Sequence, residues 1–375
     1  MPLFGPPDVA GLRAKGDVQG LIRALGYTGD PAVRRAAAQA LGQLGDARAV
    51  EPLSLALRNL AWQQDWHDIA AATEALGRLG APAVPALMAA LQFHSQVVRV
   101  GATEALSTIG KPAVAPLIGL LGDADLEIRE IAGQVLNSIG EESVEPLIAA
   151  LHDPSTGRRV RAAKVLGDIQ DKRAIQPLIG ALRDAYPGVR QSAARALGNI
   201  PDASVIGPLV AALSDPDPTT RKVTALALGN LGNANAIPTL IPELKGIEWQ
   251  AAVEALVRIG TASVEPLISS LADSKARGDT PGILENLRSS VAVTLTRMGY
   301  PQELAALVTQ LYAEPRNIRA EAAAELIRLY QAGGLDRRAR ELILQVRPII
   351  ERPHDDARTD ETHHTDEGIG APFPV

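Results

Sequence analysis

Residues 143–170 read SVEPLIAALHDPSTGRRVRAAKVLGDIQ, and both halves of that stretch recur along the chain. In the first half Val144, Leu147, Ile148 and Leu151 fall at i, i+3, i+4 and i+7, so one helical face is continuously apolar. The second half is of the type VRxxAAxALGxIG and carries its core leucine at Leu166. Working outward, the first phrase returns as AVEPLSLAL at 49–57, AVAPLIGLL at 113–121, AIQPLIGAL at 174–182, VIGPLVAAL at 205–213 and SVEPLISSL at 263–271. Aligned on the first leucine, ten copies place Leu21, Leu53, Leu87, Leu117, Leu147, Leu178, Leu209, Leu240, Leu267 and Leu307 in register. Their separations of 32, 34, 30, 30, 31, 31, 31, 27 and 40 residues are those of a solenoid of stacked supersecondary units.

Each unit reads as a helix pair. The first phrase is helix A, whose proline (Pro52, Pro116, Pro146, Pro177, Pro208, Pro266) is expected in the first turn, where a missing N–H costs nothing. Asp, Pro and Gly then turn the chain and can cap helix B. Helix B ends at a glycine such as Gly45, Gly80, Gly110, Gly140, Gly232, Gly260 or Gly299, suited to a left-handed C-terminus. Seven residues before its core leucine, helix B carries an arginine in eight of ten units: Arg34, Arg99, Arg129, Arg159, Arg190, Arg221, Arg288 and Arg319. Such recurrence marks a structural ladder, expected to bind acidic residues and free carbonyls at the neighbouring turn. Ile69 and Trp249 interrupt it.

Hydrophobic residues make up 46% of the 375, but aromatic ones only 3%, so the core must be built from closely packed Ala, Leu, Val and Ile. The absence of cysteine excludes disulfides and thiolate chemistry. No apolar run reaches the roughly 18–20 residues of a membrane span, and the N-terminal segment lacks a basic stretch followed by an apolar one, which points to a cytoplasmic protein without a membrane partner. A net charge of −6 argues against sequence-independent nucleic-acid binding.

The phrases DPAVRRAAAQALGQLGDARAVEPL at 30–53 and YPGVRQSAARALGNIPDASVIGPL at 186–209 resemble the short HEAT-like repeats of the phycobilisome-lyase type. The resemblance covers about residues 17–330. It implies an all-α fold, a right-handed α-α superhelix of about ten repeats with helices B on its concave side, and protein recognition as the usual role. The organisation it suggests is an N-terminal capping segment at 1–16, a repeat array at 17–333, a capping helix at 334–352 started by Asp336, and a disordered tail at 353–375.

Function is read from irregularities. Residues one, five and nine after the ladder arginine share an exposed face. There Glu74, Glu104 and Glu130 give way to Lys164, Arg195 and Lys222 and then to Arg258, Arg297 and Arg328, an acidic third followed by a basic stretch able to orient a charged protein partner. The linker between helices A and B is lengthened in units two and nine, and such insertions are expected as loops. Trp62, Trp66 and Trp249 are the candidate aromatic anchors.

Enzymatic alternatives find less support. Bilin lyases share the repeat type, but no bilin-specific motif is evident. In the deoxyhypusine hydroxylase family, paired His-Glu motifs on HEAT-like helices hold two irons, and no His-Glu dipeptide occurs here. His67 and His152 lie three units apart, and His354, His363 and His364 fall in the tail. Phosphate-loop, nucleophile-elbow and HExxH motifs are absent. The sequence thus assigns no catalytic residue, metal ligand or cofactor, and points to a non-catalytic scaffold that binds a protein on its helix-B face.

Overall fold

Apolar stripes spaced for helix pairs do give helix pairs. The computed structural model describes residues 6–63, 66–245, 249–313 and 316–351, and packs as two compact units, Met1–Ala196 and Leu197–Val375. In the first unit a short helix α1 (Val9–Ala14) precedes five pairs. They are α2 (Val18–Leu25) with α3 (Pro31–Leu44), α4 (Val50–Gln63) with α5 (Trp66–Leu79), and α6 (Val84–Ala90) with α7 (Gln96–Ile109). The others are α8 (Lys111–Leu120) with α9 (Leu126–Ile139), and α10 (Glu141–Ala150) with α11 (Thr156–Ile169). A sixth follows, α12 (Ile175–Ala181) and α13 (Pro187–Asn199), whose last turn enters the second unit. That unit holds α14 (Ile206–Ala212) with α15 (Pro218–Leu231), and α16 (Ile237–Glu243) with α17 (Trp249–Ile259). It continues with α18 (Val264–Ala276) and α19 (Pro281–Arg297), then α20 (Gln302–Gln310) and α21 (Arg316–Ala332), and ends with α22 (Arg337–Glu351). The described residues are therefore an all-α array of ten A–B pairs.

Nine of the ten aligned helix-A leucines, and every core leucine of helix B, are fully buried. The tenth unit differs. Leu307 is half-buried, whereas Ala305, Val308, Leu311 and Tyr312 are buried, so α20 is turned by one residue and Val308 takes the anchor position. Two helix-A prolines also depart from expectation. Pro116 and Pro146 lie inside α8 and α10 because these helices begin five residues earlier, where the other units with such a proline place a 3-10 turn or a break. The lengthened linkers are mostly not loops. The extra residues of units two and nine extend α4 to 14 residues, and α18 and α19 to 13 and 17.

Helices B stack on one another within each unit: α3 on α5, α5 on α7, α7 on α9 and α9 on α11 in the first, α15 on α17 and α17 on α19 in the second. Their spacing is set by glycine eight residues after the ladder position meeting alanine on the next helix B. A Cβ on Gly42, Gly167, Gly198 or Gly229 would come within 2.8, 2.5, 2.6 and 2.6 Å of Ala75, Ala196, Ala227 and Ala255. Gly77 faces Ala105 with more room, at 3.3 Å. All seven terminal glycines read from the sequence adopt positive φ, and in unit five Gln170 stands in that position with φ 61°.

The arginine ladder is chiefly internal to each unit. Arg99, Arg129, Arg159, Arg190, Arg221 and Arg319 each donate through Nη1 to the carbonyl six residues earlier, at 2.7 to 3.0 Å, closing the A–B turn that precedes their own helix. Links along the stack, as the sequence reading expects, include Arg34 to Asp68, Arg99 to Glu127 and Arg159 to Asp184. At the C-terminal end, Asp336 Oδ1 accepts from the Ala339 amide at 2.7 Å, and Ala339, Leu342, Ile343, Val346 and Ile350 are buried. The tail from 353, with its three histidines, lies outside the described residues.

Candidate functional site

Helix α5 begins at Trp66, three residues before the position where Ile69 replaces the ladder arginine. The neighbouring Asp68 occupies the position that Val98, Ile128, Val189 and Leu287 fill as buried residues in other units. It is buried to 2% exposure and receives Arg34 at 2.5 Å and Arg35 at 3.3 Å from the preceding helix B. A carboxylate so buried is tolerable only with such partners. Trp66 instead faces outward at 58% exposure, and its ring lies 3.5 Å, centroid to centroid, from that of His67.

Between α5 and α7 runs a groove of about 560 Å³, within the size range of ligand sites. Ala70, Thr73, Gly77, Gly101 and Ala105 are among its lining residues. A Cβ on Gly101 would lie 2.6 Å from Thr73 Oγ1, so the two helices meet closely beneath the groove. Val97 and Val100, 43% and 50% exposed, line it from α7 together with Glu104; Trp66, Glu74 and Arg78 line it from α5. The Glu74 carboxylate takes Arg78 at 2.7 Å. Glu104 is exposed and has no ion-pair partner among the described residues.

Three of the residues singled out from the sequence, Trp66, Glu74 and Glu104, are thus brought to one place. The apolar side of that place was missed. Val100 sits directly after a ladder arginine, where Glu130, Gln191 and Lys222 stand in other units, and that substitution was the available signal.

Elsewhere some of the ridge charges are paired, within a helix or between adjacent helices B. In the first unit Lys164 Nζ of α11 holds the Glu130 carboxylate of α9 at 2.6 Å, and this hydrogen bond is the main reason the Glu130 carboxyl lies below its usual value. Burial pushes the nearby Asp168 carboxyl up. Arg195 on α13 is exposed without an ion-pair partner among the described residues. In the second unit Lys222 of α15 is likewise exposed and unpaired. Arg258 of α17, in contrast, bonds Glu254 at 3.0 Å and the Asn230 side chain, while Arg297 of α19 takes the other Glu254 oxygen. These two arginines hold the Glu254 carboxyl below its usual value, Arg258 first. Within the acidic third and the basic stretch read from the sequence, Glu130 with Lys164 and Arg297 with Glu254 thus form pairs between adjacent helices B. Trp249 is half-buried at the start of α17, and the Trp62 side chain falls outside the described residues.

Among the described residues no group of three or more His, Asp or Glu side chains could hold a metal ion, and no helix is long and apolar enough to cross a membrane.

The sequence profile of HEAT repeats matches residues 55–137, 114–187 and 178–245, and that of the PBS lyase HEAT-like repeat matches residues 33–59. No curated protein matches the chain. Among solved structures, Kap121p bound to RanGTP is 14% identical, with 92% of this chain and 43% of that one covered at a TM-score of 0.51. This chain thus spans less than half the length of the karyopherin, and the likeness is one of fold. Human deoxyhypusine hydroxylase in complex with glycerol is 26% identical over 60% of this chain and 88% of its own, but the TM-score is 0.28. An engineered protein is 21% identical over 89% and 98%, with a TM-score of 0.37.

Proposed function

We propose that this chain, which belongs to the HEAT-repeat family, is a non-catalytic cytoplasmic scaffold that binds a segment of a partner protein on its helix-B face, with the α5–α7 groove as the docking surface. The observation that carries this reading is the clustering of Trp66, Val97 and Val100, all substantially exposed, around a groove of about 560 Å³. Exposed apolar side chains scattered singly need no explanation, whereas a contiguous set with an aromatic anchor is the composition of an interaction hot spot. Arg195 in the first unit and Lys222 in the second are separate candidate contacts, since each keeps an unpaired charge. The proposed limits of the repeat array remain 17–333, with caps on either side.

A photo-cross-linking residue placed at Val100 should capture a partner in cells, while the same residue at Leu55, equally exposed but on helix A, should not. Identical products from both positions, or none from Val100, would refute the groove as a docking surface. Stoichiometric iron together with hydroxylase turnover in the purified chain would overturn the scaffold reading itself.

A further inference from the structure

The groove's charges bear on what fills it. We propose that its occupant is a protein segment in which a lysine or arginine neighbours an aliphatic side chain, the cation held by the Glu104 carboxylate and the aliphatic group lying against Trp66, Val97 and Val100. This inference rests on the reading of the groove as a docking surface.

Three classes of segment can be weighed against the same lining. A purely apolar segment would cover Glu104 and leave a desolvated carboxylate without a partner, which is among the costlier errors an interface can contain. An acidic segment would meet Glu104 directly, and the cation within the groove that could answer it, Arg78, is already held by Glu74 at 2.7 Å. A cationic side chain supplies the missing partner for Glu104. His67 packs against the Trp66 ring with centroids 3.5 Å apart, and Trp66 still stands 58% exposed to an incoming side chain. The valines demand the second half of the description. Aliphatic groups at 43% and 50% exposure beside small floor residues suit a side chain laid along the groove rather than driven into it.

The test is to pan a random dodecapeptide phage library on the full chain and measure the enriched peptides against variants. All substituted positions are exposed, and unchanged far-UV circular dichroism and melting confirm the fold of each variant. Expected is enrichment of Lys or Arg adjacent to Leu, Ile or Val, with affinity at least ten-fold weaker for Trp66→Ala and Glu104→Lys, several-fold weaker for Glu104→Gln, and reduced by added salt. Peptides that need Trp66 and Val100 but carry no cation, or bind Glu104→Gln as tightly as the unaltered chain, overturn the cationic occupant and leave the docking surface standing. Peptides indifferent to Trp66→Ala and Val100→Glu, or no enrichment over a library panned on Trp66→Ala, count against both. A concentration-dependent dimer of the chain that disappears in Trp66→Ala would make the occupant a second copy and overturn the proposal.

Discussion

Replacing Gly167 with alanine should destabilise the first unit although alanine is the better helix former. The added Cβ would stand 2.5 Å from Ala196 Cα and 2.7 Å from Ala196 Cβ, against the roughly 3.5–4.0 Å of an ordinary carbon contact. Helices α11 and α13 must therefore part by ~1 Å at this point, and the nearest obstacle is backbone, which cannot rotate away. Overpacking of this kind costs about 1–3 kcal/mol, and the gain in helix propensity returns about 0.8–1 kcal/mol. The net loss is about 0–2 kcal/mol, a fall in Tm of up to about 8 °C for a unit of this size. Two substitutions calibrate the result. Gly119 in α8 has no atom within 4 Å of a Cβ, so Gly119→Ala should stabilise by up to about 1 kcal/mol. Gly77→Ala, with 3.3 Å to Ala105, should fall between them. Thermal and urea unfolding followed by far-UV circular dichroism would give the order Gly119→Ala above the parent, then Gly77→Ala, then Gly167→Ala. If Gly167→Ala proved as stable as Gly119→Ala, the glycine-on-alanine contact would not set the spacing of helices B.

Gln170 holds the left-handed C-terminal position that glycine fills in seven other units, so Gln170→Gly should raise stability by about 1 kcal/mol, seen as a higher urea midpoint. Arg221 Nη1 satisfies the Asp215 and Pro216 carbonyls at 2.8 and 3.2 Å, and Arg221→Met should cost about 1.5–3 kcal/mol, seen as a lower urea midpoint, while Arg328→Met on the open surface should leave that midpoint unchanged. The Glu254 carboxyl lies below its ordinary value of 4.5 in the folded chain, so its contribution is fully present above that pH and is lost as pH falls through the folded value. Glu254→Gln should accordingly lower stability at neutral pH by at most about 1 kcal/mol, the pair being partly solvated, with the difference closing in acid. Melts from pH 7 down to about pH 3 would show whether the two curves converge as linkage requires.

The repeat is legible in the sequence because its causes are local. An apolar stripe at i, i+3, i+4 and i+7 needs no knowledge of neighbouring units, and neither does a glycine that ends helix B or the Asp336 cap that starts α22. Where the fold departs from expectation, the cause lies in packing between units or in continuation of a helix across a boundary. Leu307 satisfies the spacing, yet α20 turns by one residue so that Val308 and Tyr312 are covered. The inserted residues of units two and nine were read as loops because length alone was counted. Helix-forming stretches such as SLALRNLAWQ continue α4 instead, since extending an existing helix adds a hydrogen bond per residue without a new nucleus.

The charged ridge illustrates the harder limit. Read one helix at a time, Glu130 and Lys164 close the acidic third and open the basic stretch, but in the stack they pair with each other at 2.6 Å. Arg258 and Arg297 likewise converge on Glu254 rather than facing a partner. A repeat of about 30 residues places equivalent positions side by side, so opposite charges in successive units tend to pair off, and what remains for a partner is whatever the pairing leaves over. Part of that remainder, Glu104, lies beside the unit in which the repeat is broken. In unit two a buried Asp68 takes Arg34 from the preceding helix B, and the exposed Trp66 lines one groove with Val100 and with Glu104, which has no ion-pair partner among the described residues. In a chain whose regular positions serve the stack, the interrupted unit is the place where side chains are free to serve something else.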